Sequence, residues 1–109
     1  MEKVFNKLVR DKIPNIIEEK GEKAYTRILN DDEYFKELLI KLEEETKEVI
    51  GTNNNEDLLE ELGDVYEVIK SIAEAKGFST EDIVEVADEK RSKRGGFKDK
   101  IFLIKTDDN

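Results

Sequence analysis

The chain has 109 residues, enough for one domain with a modest core, and its 28 acidic against 19 basic side chains give a net charge of −9. That balance argues against binding nucleic-acid polymers, whose phosphate backbone demands an excess of Lys and Arg. With neither Cys nor His, the chain has no disulfide framework, thiolate nucleophile or imidazole base. Acid/base chemistry is left to carboxylates, lysines, tyrosines and metal-bound water. No apolar run reaches the length of a signal peptide or a membrane span, so a soluble cytoplasmic protein without a membrane partner is expected. A domain this small often gains by pairing with another copy.

Residues 1–12 mix apolar and basic side chains over too short a span to decide between helix and extended chain. Pro14 suits the first turn of a short helix that ends at Gly21, a natural C-terminal cap. Residues 24–29 alternate and carry β-formers, which predicts a short strand. Asn30 with Glu33 forms a capping-box pattern, and apolar spacing then predicts a helix to about Ile50. Residues 51–55, rich in Asn, read as a tight connection. A helix from about Glu56 to Lys76 follows, stopped by Gly77. Ser79 is the candidate N-cap of the last helix, with Phe78 and Ile83 at the positions of a hydrophobic staple; it runs to about Arg94 and ends at Gly95-Gly96. The run Ile101-Phe102-Leu103-Ile104 predicts a second strand, whose partner would be 24–29. The polar residues 106–109 are expected to fray.

The stretch Glu44 to Asp64 draws the most attention. Glu45 and Glu48 stand three residues apart, as do Glu61 and Asp64, so each pair shares one face of its helix. If the two helices fold back on each other, residue 45 faces 64 and residue 48 faces 61. At about 100° per residue, each pair lies on the flank of its helix's apolar stripe, and with the same rotational sense. Same-sense flanks of antiparallel helices meet on one side of the seam, so four carboxylates converge. Such a group needs protonation or a cation, and its all-oxygen donors suit Mg²⁺ or Mn²⁺. The competing reading is a solvated face, ordinary in a chain with 43% charged residues. Two basic clusters accompany the acids. Lys90, Arg91, Lys93 and Arg94 close the last helix, where cations favour the macrodipole and need no ligand; equally, they could hold phosphates. Lys7, Arg10 and Lys12 form the other cluster, which physics alone reads as an ordinary solvated segment.

Glu44-Glu45-Thr46-Lys47-Glu48, then twelve residues, then Glu61-Leu62-Gly63-Asp64 resembles the EExxE and ExxD signature of the all-α nucleoside triphosphate pyrophosphohydrolases. That superfamily includes MazG, dimeric dUTPases and phosphoribosyl-ATP pyrophosphohydrolase. NKLVRDKIP from Asn6 and KRGGF from Lys93 are similar to the small MazG-like, phosphoribosyl-ATP pyrophosphohydrolase-like branch, and the resemblance spans nearly the whole chain. It implies a single all-α domain over 1–109, a helical bundle built on an antiparallel helix hairpin; the residue pattern adds a short β pair of 24–29 with 101–105. It further implies a nucleotide substrate, Mg²⁺ held by Glu45, Glu48, Glu61 and Asp64, and Glu44 in the second shell or activating water. With no histidine, Glu44 or Glu48 is the expected base. Lys90, Lys93 and Arg94, with Lys7 and Arg10, are the expected phosphate contacts, and a homodimer or homotetramer the expected assembly. One departure stands out: Asp88 occupies a position where better-known MazG proteins carry Asn.

Overall fold

The computed structural model describes residues 1–108; Asn109, the end of the tail expected to fray, lies outside them. Four helices follow one another: α1 (Ile13–Glu19), α2 (Asp31–Ile50), α3 (Asn55–Ala75) and α4 (Thr80–Arg94). The class is all-α, and no described helix is long and apolar enough to cross a membrane.

Local chemistry accounts for where the helices begin. Pro14 occupies the first turn of α1, where its missing N–H costs nothing. Asn30 caps α2 by accepting from the Glu33 backbone N–H at 2.9 Å, while the Glu33 carboxylate accepts from the Asn30 N–H at 3.3 Å. Ser79 and Asp82 repeat this reciprocal box at α4, at 3.2 and 2.8 Å. At α3 the cap is Asn54, whose carbonyl accepts from the Asp57 N–H at 2.8 Å. Gly77 follows α3 with φ 81°, a left-handed conformation that a Cβ would strain.

Packing is concentrated in one place. α2 and α3, joined by the short connection 51–54, press against each other, whereas α4 barely touches α3. Among the described residues the buried ones are Leu38 (3% exposed), Val68 (7%) and Ala73 (5%), all on α2 and α3. At the far end from the connection the Lys76 ammonium sits 4.0 Å above the Phe35 ring, a cation–π contact. The Cα radius of gyration is 18.9 Å, with extents of 66 × 35 × 26 Å. A compact domain of this length would have about 13 Å.

The expected β pair does not form: neither 24–29 nor 101–105 is a strand among the described residues. An isolated two-stranded ribbon is marginal in water, and here no apolar face covers it; Tyr25, Ile28 and the 101–104 run all remain exposed. Residues 1–12 are neither helix nor strand, apart from a turn at Asp11-Lys12.

Candidate metal centre

The second halves of α2 and the first half of α3 carry the predicted carboxylates. One oxygen from each of Glu45, Glu61 and Asp64 lies within 4.8 Å of the others, and all three residues are half-buried. Two helices therefore supply one acidic cup, as the spacing and phase anticipated. Glu48 does not join this trio: it is exposed and lines a shallow groove with Ile40, Glu43, Glu44 and Lys47. It still lies close enough for its charge to act on Glu61.

The N-terminal segment reaches the cup. Arg10 donates to the Asp64 carboxylate at 2.8 Å, and Lys7 pairs with Glu44 at 3.6 Å. These two cations, expected on substrate phosphates, here neutralise the acids themselves. Lys41 adds a third cation, 3.5 Å from Glu44 and 3.7 Å from Glu45. Sequence reasoning missed Lys41, although its spacing of three and four residues before Glu44 and Glu45 is the signal for such pairs. Glu61 has no ion pair among the described residues. Withdrawal from water, then the charges of Asp64, Glu48, Glu45 and Glu60, push its carboxyl above the usual range.

The C-terminal cations behave differently. Lys93 pairs with Glu89 at 3.3 Å along α4, and Arg91 pairs with Asp88. Lys90, Lys93 and Arg94 make no ion pair with α2 or α3 among the described residues. The structure thus joins Arg10 to the acidic cup and Lys7 to Glu44 beside it, but leaves the α4 cluster apart from both. Asp88, the departure noted above, is engaged by Arg91 and lines a wedge between α3 and α4.

Fold and site together define an all-α protein with a two-helix carboxylate cup whose donors fit a hard divalent cation. No family model matches the chain, and no solved structure matches it. An uncharacterized protein of Mycolicibacterium smegmatis is 42% identical to it over 53 residues, 49% of this chain and 54% of that protein. The chain therefore spans about half the length of the curated relative it matches.

Proposed function

We propose that this protein is a Mg²⁺-dependent nucleoside triphosphate pyrophosphohydrolase of the MazG-like type, with Mn²⁺ as a substitute ion. It cleaves between the α and β phosphates to give the monophosphate and pyrophosphate, acting in the cytoplasm to remove non-canonical nucleotides. The single observation that carries this reading is the convergence of Glu45, Glu61 and Asp64 from two helices, with Glu61 left uncompensated. Desolvation, then repulsion from its acidic neighbours, lifts the Glu61 pKa; a divalent ion would offset both, so ion binding and carboxylate ionisation favour each other.

In this reading α2 and α3 form an antiparallel hairpin. Support comes from contacts at both of its ends: Glu45 meets Glu61 and Asp64 near the connection, and Phe35 meets Lys76 far from it. Glu45, Glu61 and Asp64 would hold the ion, with Glu48 of the adjacent groove as the fourth carboxylate of the set. When bound, the ion supplies charge neutralisation for the triphosphate and acidifies an attacking water. Glu48 or Glu44 takes the proton from that water. Arg10, now on Asp64, and Lys7, beside Glu44, are the cations that would meet phosphate oxygens. Lys90, Lys93 and Arg94 stabilise the leaving pyrophosphate, and the working form is a homodimer or homotetramer.

A pyrophosphate-release screen across canonical and modified triphosphates, with phosphoribosyl-ATP included, tests the reading. Mg²⁺-dependent release that disappears in Asp64→Ala or Glu48→Ala is the expected result. Preference for phosphoribosyl-ATP would move the substrate while keeping the metal chemistry. Calorimetry without heat on adding Mg²⁺ or Mn²⁺, together with no release, would instead leave a noncatalytic acidic dimerisation module.

A further inference from the structure

Two surfaces of the chain are mismatched to water and matched to each other. The first is the arm that follows α4, where Phe97, Ile101, Phe102, Leu103 and Ile104 are all at least 74% exposed. The second lies on the packed helices. Leu59, Leu62 and Tyr66 of α3 are exposed, and at positions i, i+3 and i+7 they form one stripe. By helical phase this stripe and the exposed Leu39 of α2 sit on the side of the seam opposite Glu61 and Asp64.

Charge makes the same division. Residues 90–105 carry seven basic side chains and one acid, a net +6, whereas α2 and α3 together carry fifteen acids and four bases, a net −11. Within one chain these opposite charges do not meet: among the described residues no ion pair or side-chain hydrogen bond joins 90–105 to α2 or α3. α4 instead splays from α3, leaving an open wedge of about 370 Å³ between Tyr66 and the side of α4 that carries Thr80, Val84 and Asp88.

The area involved is large. The chain exposes 10383 Å², against about 6,200 Å² for a compact monomer of its mass. The excess, roughly 4,200 Å² per chain, is larger than the roughly 1,000–2,500 Å² that each partner of an obligate dimer buries, so it leaves room for such an interface.

We propose that two copies of this chain exchange arms: α4 and the following residues of each copy lie along the Leu59, Leu62 and Tyr66 stripe of the other. A second copy is the occupant these observations select, because it brings a basic apolar arm to an acidic apolar stripe and presents the same stripe in return. Twofold symmetry then satisfies both surfaces at once, whereas an unrelated partner would have to match two surfaces of opposite charge. The exchange deepens the homo-oligomer part of the function proposed above and rests on that reading only there; ion binding by Glu45, Glu61 and Asp64 does not require it, so the two fail separately.

The experiment is light scattering of the full chain at micromolar concentration, with far-UV circular dichroism as the check on folding. The expected mass is twice 12.6 kDa, halving when Ile101→Asp and Leu103→Asp are combined while helix content stays. Since the natural chain has no cysteine, a second measurement keeps the arm's own residues mostly native. Leu59→Cys chains are mixed with mass-tagged Phe102→Cys chains and oxidised, and the exchange predicts the mixed cross-linked pair as the main product. A monomeric natural chain, an assembly that the arm substitutions leave intact, or a Leu59→Cys/Phe102→Cys double variant that closes its disulfide within one chain would overturn the proposal. Mg²⁺ binding by the monomeric arm variant would show the cup standing without the exchange.

Discussion

The α2–α3 pair and the limb made of α4 with the residues after it are equally rich in charge and equally well capped, yet only the first has a buried interior. Asn30 and Ser79 make the same reciprocal cap, so initiation does not separate them. The difference is the reach of the apolar stripe. On α2 and α3 the stripe recurs over about four turns, from Phe35 to Val49 and from Leu58 to Ile72, and two such stripes close on each other. On α4 the apolar residues Ile83, Val84, Val86 and Ala87 are bunched within five positions, after which the helix turns to Lys and Arg. A cap decides whether a helix starts, but only a sustained stripe decides whether it packs within its own chain.

Four measurements press on this contrast. The largest effect falls on the proposed chemistry of the packed pair: Asp64→Ala should cut Mg²⁺-dependent pyrophosphate release by roughly 100-fold or more, with circular dichroism unchanged. Activity within a few-fold of the natural chain would remove the cup from the mechanism. Next comes packing. Leu38→Ala opens the interior and should cost about 2–5 kcal/mol in urea denaturation at every protein concentration. Phe102→Ala, on the limb, should act only through association, so its cost should vary with concentration; a concentration-independent loss would mean that the arm packs within its own chain.

Cap removal ranks third. Asn30→Ala and Ser79→Ala should each cost about 1 kcal/mol of helix stability. In hydrogen exchange the first should lower protection throughout α2 and α3, and the second only along α4. Equal, global losses from both would deny that the limb is energetically separate.

The smallest effects concern pH, where two carboxylates of the packed pair have opposite signs. Hydrogen bonds from Arg27 at 2.9 and 3.2 Å, then the Asn30 N–H, hold Glu33 below the usual carboxylate range. Its stabilisation is present above the unfolded pKa and is lost as pH falls through the lower folded value. Glu61 is raised by desolvation and its acidic neighbours, so its contribution is fully present below the unfolded pKa and is lost as pH rises through the higher folded value. Without metal, Glu61→Gln should therefore raise stability near neutral pH, and Glu33→Gln should flatten the loss at acid pH. Melting temperatures from acid to neutral pH check both signs, and saturating Mg²⁺ should abolish the advantage of Glu61→Gln.

Much of this was legible beforehand because it depends on near neighbours. The caps at Asn30 and Ser79, the break at 51–54 and the stop at Gly77 are chemistry within four residues, and each helix lies within a residue or two of its predicted bounds. The convergence of Glu45, Glu61 and Asp64 was readable too, since equal spacing and equal phase on consecutive helices leave few ways to place them. Lys41 was missed although its signal was local. The β pair failed for a different reason: β-forming composition at 24–29 and 101–105 gives each segment a preference but no surface to rest on.

What the sequence by itself determined, then, is the set of helices, their ends and the phase of the acidic flanks, because hydrogen bonds and periodicity of this range are written into consecutive residues. Tertiary structure alone decided that Glu48 stands outside the trio, that Arg10 and Lys7 come to the carboxylates, and that the Lys90, Lys93 and Arg94 cluster stands off from them. Those placements depend on how far α4 leans from α3 and where residues 1–12 cross the helices, and neither is set by any spacing along the chain.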